Sequence, residues 1–293
     1  MSDETLLNDQ IAAWFNARWT PAMGAIDGHD LRFMASLLAE AKPKTVVEIG
    51  CASGLSTSVL AMMLDQIGPA AITSFDLGTQ FYADPSKAVG YLTKEIPVLP
   101  RTEIEIVTGR ACLAVPDRFE AESVDFCFID AAHQHPWPLI DTLVMLPLLK
   151  PGGFIVHHDP IMAWSAQLHA TGPKLLQLLL PEDIGISFES RVLGQTASPL
   201  KTRTKSGNIF ALCRPADIQG FASRMAQGFL LGWDTAFAPY RNNRIGDDFS
   251  RRLSKYLTKT YAPDVAEAFA VGLKRYNAAV PFSSGTIVGP DKL

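Results

Sequence analysis

From Thr45 to about Pro215 the chain alternates short apolar, β-branched runs with longer amphipathic runs. This alternation is typical of βαβ units, in which helices cover both faces of a mainly parallel sheet. The pattern therefore predicts an α/β fold with a doubly wound sheet. Five strands are predicted: Thr45–Ile49, Ala71–Phe75, Ile104–Val107, Val124–Ile129 and Phe154–His157.

The segments around these strands complete the predicted architecture. A C-terminal antiparallel hairpin is expected to pair 185–189 with 208–213, and Lys150-Pro151-Gly152-Gly153 is a predicted turn. Residues 1–40 contain two predicted helices, at Leu6–Trp19 and His29–Glu40. Residues 216–293 are predicted to form a helical extension. The predicted division is thus an N-terminal helical part, a main domain over 41–215 and a C-terminal part.

Charge and hydropathy exclude two classes of partner. The formal net charge is -4 and no dense Lys/Arg run occurs, so the basic footprint of a nucleic-acid binder is absent. No apolar run approaches the roughly 18 residues that span a bilayer. The N-terminus is acidic and does not resemble a secretory signal. We expect a cytoplasmic protein with a small or neutral substrate.

Polar residues cluster where the predicted strands end. Glu48, Asp76, Asp130 and the pair His158-Asp159 all occupy such positions. In an open parallel sheet, ligands bind beyond the carboxyl ends of the strands, near the point where strand order reverses. These residues are therefore the first candidates for a functional site.

The loop after the first strand contains Gly50 and Gly54 and leads into a helix. Such a loop can bring backbone N–H groups close to an anionic ligand, but it is also compatible with a plain tight turn. Its Gly-x-x-x-Gly spacing is not the dinucleotide fingerprint. Asp76, which ends the second strand, could accept hydrogen bonds from ribose hydroxyls or could cap a turn. Together, the loop and Asp76 favour an adenosine-type cofactor.

Three motifs carry a family resemblance: 46–57 (VVEIGCASGLST), 128–133 (FIDAAH) and 148–153 (LLKPGG). They resemble class I S-adenosylmethionine (SAM)-dependent methyltransferases, most closely the catechol and caffeoyl-CoA O-methyltransferase-like branch and its bacterial relatives. The resemblance covers about Ile26 to Arg214 and leaves the C-terminal helices without a counterpart. It implies a Rossmann-like fold.

The resemblance also implies a cofactor pocket. Asp76 would hold the ribose, Ser56 would meet the methionine carboxylate, and the N-terminal helices would cover the site through the element at 27–29. The implied cofactor-binding set is Glu48, Gly50, Cys51, Gly54, Ser56, Asp76, Gly109, Arg110, Ala111 and Asp130.

Relatives hold a divalent ion with acids at two strand ends and an asparagine. Asp130 and Asp159 match the acids, whereas Pro160 occupies the asparagine position and Ala132 replaces a further acid. Mg²⁺ or another divalent cation could still bind Asp130, Asp159 and His158. Without an ion, His133 could act as the general base, and we take His133, Asp130 and His158 as the catalytic candidates.

The other histidines receive different predictions. His157 and His158 alternate along a strand, so one of them should face the core or the opposite side of the sheet. His158 and His133 are expected to point into the cleft. His135 and His169 are interpreted as ordinary surface residues.

The leading hypothesis is O-methylation of a hydroxyl on a small molecule, such as a sugar or a secondary metabolite. One alternative is a non-catalytic SAM-binding protein, because two residues of the presumed metal site are altered. The other is an NAD-dependent oxidoreductase, which the missing fingerprint disfavours. The C-terminal extension is expected to serve as a lid or in dimerisation, and a homodimer is expected.

Overall fold

The computed structural model describes residues 6–20, 26–97, 100–164, 170–193, 208–234 and 245–279. Its main element is a seven-stranded sheet with the order β5-β2-β1-β6-β7-β9-β8. The first five strands in this order are parallel to their neighbours, and β9 is antiparallel to both β7 and β8. The strands are β1 Thr45–Ile49, β2 Ala71–Asp76, β5 Glu103–Thr108, β6 Val124–Ile129, β7 Leu149–His158, β8 Gly185–Ser187 and β9 Ile209–Cys213.

The predicted parallel strands and the C-terminal hairpin are thus confirmed. A separate two-stranded hairpin, β3 Gln80–Phe81 with β4 Asp84–Ala88, was not predicted. The helices are α1 Asp9–Arg18, α2 Gly28–Ala41, α3 Leu55–Ile67, α4 Trp137–Met145, α5 Gly172–Leu179, α6 Phe188–Val192, α7 Ile218–Ala226, α8 Asp247–Thr260 and α9 Pro263–Ala279.

Strand β7 begins earlier than predicted and contains a bulge. Leu149 of β7 pairs with Val124 of β6, but the next paired residue of β6, Phe126, lies opposite Phe154. The intervening Lys-Pro-Gly-Gly segment includes Gly152 at φ 78, the left-handed conformation that the turn prediction required. The prediction of a left-handed glycine in this segment is therefore confirmed, although the segment lies within a strand.

Two apolar cores lie on opposite faces of the sheet, because successive strand residues alternate between them. Val46 and Phe126 belong to the core that α1, α2 and α3 cover. Val47 and Cys127 belong to the other, which α4 and the C-terminal helices cover. Phe229, Trp233 and Phe269 of the extension belong to the same cluster as the sheet residues. The extension is therefore packed onto the main domain and does not form a separate core.

No helix within the described part of the chain combines the length and apolar character needed to cross a membrane.

Candidate functional site

The loop between β1 and α3 forms one end of the site. Gly50 adopts φ 97, and a Cβ atom there would lie 2.0 Å from the Asp130 carbonyl oxygen. Gly54 adopts φ 83 and packs against Gly90. Ala52, at the position of the middle glycine in relatives, also takes a left-handed φ of 47. The loop is therefore held in a conformation that brings its backbone against β6.

Asp76, at the end of β2, holds this loop. Its Oδ2 atom accepts hydrogen bonds from the N–H groups of Cys51 at 3.1 Å and Ala52 at 2.8 Å. Its Oδ1 atom accepts one from Gly78 at 2.7 Å. Because a carboxylate oxygen has more than one lone pair, Asp76 can fix the loop and still accept from a ligand.

A cavity of about 290 Å³ lies beyond the ends of β1, β2 and β6. Its wall contains five of the predicted cofactor residues, namely Gly50, Asp76, Arg110, Ala111 and Asp130. The remaining lining residues are Ile49, Ala52, Phe75, Leu77, Tyr82, Cys112, Ala131, Ala132, Trp137 and Asp141. The location matches the crevice expected at the switch point of a doubly wound sheet.

Glu48 lies beneath the loop and is fully buried. Its carboxylate accepts hydrogen bonds from the hydroxyls of Ser56, Thr57 and Ser74. Burial raises the pKa of Glu48 to about 7, although these hydroxyls oppose the shift. Glu48, Cys51, Gly54, Ser56 and Gly109 do not line the cavity. In this structure, Glu48 and Ser56 bond to each other.

His133 lies beside two carboxylates at the edge of the cavity. Its Nε2 atom is 3.1 Å from Asp130 Oδ1 and 3.4 Å from Asp159 Oδ2. Its side chain is 18% exposed, so a small molecule can reach it. Burial disfavours protonation, but the hydrogen bond to Asp130 and the charges of both acids outweigh it and raise the pKa of His133. Ala132, which replaces an acid, lines the cavity next to it.

His158 lies behind this group and is only 2% exposed, so it does not face an open cleft. Its Nδ1 atom is 3.3 Å from Asp130 Oδ1 and 3.5 Å from Asp159 Oδ2. Its Nε2 atom is 3.0 Å from Asp30 Oδ2, on the first turn of α2. Burial opposes protonation of His158, yet the charges of Asp130 and Asp159 raise its pKa well above the usual value.

Sequence reasoning missed two residues of this group. Asp30 connects the N-terminal helices to the site, and its Oδ2 atom also accepts from the backbone of Asp27, so it is fixed by a capping box. Asn208 precedes β9 and donates from Nδ2 to Asp159 Oδ1 at 2.7 Å. Since β9 is antiparallel, its first residues lie at the carboxyl ends of the parallel strands, and this could have identified Asn208.

Two further histidines lie in the interior. His157 is 1% exposed, stacks on Phe210 and hydrogen-bonds Thr142, as expected for the core-facing member of the pair. The prediction that His135 lies at the surface was wrong, because it is 1% exposed and its ring bonds the Gly228 carbonyl. His169 lies outside the described residues.

The donor set around Asp130 suits a cation. One oxygen each from Asp130 and Asp159 and one nitrogen from His133 lie within 4.8 Å of one another. His158 directs a further nitrogen at the same two oxygens. Carboxylate and imidazole groups are ordinary ligands of divalent metals. Pro160, which stands where the resemblance implies an asparagine, offers no side-chain ligand.

Comparison with known families gives one match, to a family described as a methyltransferase domain, over residues 47–160. The matched segment contains the loop between β1 and α3, Asp76, and the cluster of Asp130, His133, His158 and Asp159. Residues 47–160 are thus similar to a methyltransferase domain, and they lie within a doubly wound, mainly parallel sheet. The sheet is doubly wound and mainly parallel, as predicted, and the antiparallel β9 lies next to β7.

Three solved structures are similar to part of this chain. The O-methyltransferase TomG from Streptomyces achromogenes, in complex with SAM, is 20% identical over 71% of this chain and 91% of that chain, with a TM-score of 0.46. The O-methyltransferase from Bacillus cereus, bound to the product S-adenosylhomocysteine (SAH), is 19% identical over 71% and 90%, with a TM-score of 0.44.

MycE from the mycinamycin biosynthetic pathway, in complex with Mg and SAH, is 14% identical over 73% and 58%, with a TM-score of 0.42. A comparison with curated protein sequences gives no significant match.

Proposed function

We propose that the methyltransferase domain transfers the methyl group of SAM to a hydroxyl of a small molecule, and that the acceptor oxygen binds next to His133. The observation that carries the proposal is the imidazole of His133 between Asp130 and Asp159, at 3.1 and 3.4 Å. Asp130 also lines the cavity, so the proposed acceptor site adjoins the proposed cofactor site. The cluster would thus offer a base to a hydroxyl that binds next to the proposed cofactor site.

The reaction needs little from the protein beyond orientation and removal of one proton. The acceptor oxygen attacks the methyl carbon, the carbon–sulfur bond breaks, and its electron pair returns to sulfur to give SAH. The hydroxyl proton passes to His133 Nδ1, because Nε2 carries the hydrogen that it donates to Asp130, and the two neighbouring carboxylates stabilise the resulting imidazolium. Positioning and exclusion of water supply most of the rate enhancement.

For the cofactor, we propose that Asp76 accepts from the ribose hydroxyls and that Gly50, Arg110 and Ala111 contact the nucleoside. These residues line the cavity together. Glu48, Cys51, Gly54, Ser56 and Gly109 would act by shaping this wall. Ser56 would approach the methionine carboxylate through the N-terminus of α3.

The same cluster fits a divalent cation such as Mg²⁺. Asp130, Asp159 and His133 would hold it, with His158 behind them, and a bound cation would lower the pKa of the acceptor hydroxyl. In that state His133 is a ligand, whereas in the cation-free state it is the base. Asp130 and Asp159 serve both states.

The test follows a labelled methyl group from SAM to a panel of hydroxylated acceptors, with Mg²⁺ and with EDTA. We expect turnover, and a loss of roughly a hundredfold in kcat for His133→Gln, Asp130→Ala and Asp159→Ala. Glu267→Gln, at an exposed position on α9, is the control and should leave kcat unchanged. SAM binding without turnover of any acceptor would favour a non-catalytic SAM-binding protein.

The proposal includes a cytoplasmic location and a homodimer. Light scattering coupled to size exclusion measures the mass in solution. A mass near twice 31.9 kDa supports the dimer, and a mass near 31.9 kDa excludes it.

A further inference from the structure

The C-terminal extension makes a polar contact with the loop that carries His133. This loop runs from the end of β6 to the start of α4. Asp234 Oδ2 accepts a hydrogen bond from the N–H of His135 at 2.8 Å. In the reverse direction, the N–H of Asp234 donates to the His135 carbonyl at 3.0 Å. The two backbones are thus joined by a reciprocal pair of bonds.

The same carboxylate reaches a second segment. Asp234 Oδ2 accepts from the N–H of Thr171 at 2.6 Å and from its hydroxyl at 2.7 Å. The next residue, Gly172, donates its N–H to the His133 carbonyl at 2.9 Å. A Cβ atom on Gly172 would lie 2.7 Å from that carbonyl oxygen. Asp234 therefore connects both segments that flank His133.

A third contact comes from earlier in the extension. His135 Nε2 is 2.9 Å from the Gly228 carbonyl, so the buried ring donates to it. Burial lowers the pKa of His135, although the bond to Gly228 and the charge of Asp234 oppose the shift. His135, two positions after His133, is therefore held through its ring by Gly228 and through its backbone by Asp234.

Burying the carboxylate of Asp234 costs free energy unless hydrogen bonds compensate for the lost solvation. Asp234 is 6% exposed and forms no salt bridge among the described residues. Its charge is satisfied by three donors from the two segments, which are charge-assisted hydrogen bonds. A neutral residue could pack there at lower desolvation cost, but it could not draw three donors to one oxygen.

We propose that Asp234 is a positioning residue for His133, through which the C-terminal extension fixes the loop that presents the imidazole to the acceptor. Asp234 touches neither the cavity nor the reacting atoms, so it acts through His135, Thr171 and Gly172. The proposal rests on the proposed function for the role of His133. It assigns the extension a task inside one chain, in addition to any lid or dimer contact.

The direct test is nuclear magnetic resonance of the imidazole groups in the EDTA-treated full chain. The protein has six histidines, so each ring signal can be assigned by a single substitution. In Asp234→Asn we expect the His133 ring signals to shift and broaden, because an amide offers its NH₂ or one weaker acceptor to three donors. The matched control, Asp217→Asn, makes the same acid-to-amide change at the N-cap of α7 in the same extension, and it should leave the His133 signals unchanged.

A second variant covers the case in which Asp234→Asn does not fold. Thr171→Val keeps the shape of the side chain and removes only the hydroxyl donor, so a smaller shift in the same direction is expected. His133 signals that coincide with those of the wild type in both folded variants would overturn the proposal. So would equal shifts in Asp217→Asn.

Kinetic measurements of turnover test the positioning role of Asp234 independently. With an acceptor in hand, Asp234→Asn should lower kcat about tenfold while the KM for SAM changes less than twofold. A fall in kcat that Asp217→Asn reproduces would overturn positioning by Asp234. If the His133 signals shift but no acceptor is methylated, the positioning role stands and the proposed function fails.

Discussion

His157 and His158 are neighbours in β7, yet their rings lie on opposite faces of the sheet. His157 Nε2 is 2.9 Å from Thr142 Oγ1, on the face that α4 covers. His158 Nε2 is 3.0 Å from Asp30 Oδ2, on the face that α2 covers. The strand thus places one neutral histidine in the core and one charged histidine in the site.

His157 should make folding depend on pH. Burial, and then the charge of His133, lower the pKa of His157 to about 3. Between this pKa and the usual value of about 6.5, His157 is protonated in the unfolded chain and neutral in the folded chain. This contribution to stability is complete above about pH 6.5 and is lost by roughly 1.4 kcal/mol per unit as pH falls below it. Urea unfolding of His157→Gln should show a shallower decline than the wild type between pH 6 and 4. Parallel curves would contradict this account.

Glu48 should contribute a dependence of the opposite sign. Its pKa is raised to about 7, so the folded chain holds the proton more tightly than the unfolded chain does. The contribution is present below about pH 4.5 and is lost as pH rises through 7, by roughly 3 kcal/mol in total. Relative to the wild type, Glu48→Gln should therefore gain stability between pH 4.5 and 7 in urea titrations. A constant difference across that range would show that Glu48 is not protonated in the fold.

Gly50→Ala should disrupt the cofactor loop. The added Cβ would lie 2.0 Å from the Asp130 carbonyl oxygen, which belongs to the backbone and cannot give way. We expect a loss of about 3 kcal/mol or more in unfolding free energy, together with loss of SAM binding. Gly152→Ala is the matched control, since Gly152 also has a positive φ but nothing within 4 Å. That variant should cost only about 1 kcal/mol. Equal costs for the two variants would contradict the close approach.

Asp30 and His158 should be strongly coupled. Both side chains are at least 98% buried, so removing one partner leaves the other without its counterpart. Asp30→Asn and His158→Gln should each lower the unfolding free energy by about 3 kcal/mol, and the double variant by less than their sum. Asp27→Asn keeps a capping side chain on α2 and serves as the control for helix stability. Additive effects in the cycle would show that the pair is not coupled.

Local pattern was sufficient for the strands, the loop and Asp76, because each depends on neighbours in sequence and on strand ends. The residues that complete the site come from far along the chain. Asp30 and His158 are separated by 128 positions, and Asp234 and His135 by 99. No period or spacing links such pairs, since only the packed fold brings them together. His135 was misjudged for the same reason, because its polar neighbours gave no sign of the extension that covers it.

The most direct test of a SAM-dependent methyltransferase is calorimetric titration of the metal-free chain with SAM, SAH and NAD. The account predicts one SAM or SAH per chain, with binding lost in Asp76→Ala and retained in His133→Gln. Asp76 holds the loop through Cys51 and Ala52, whereas His133 lies on the acceptor side. Binding of NAD without binding of SAM or SAH would contradict it.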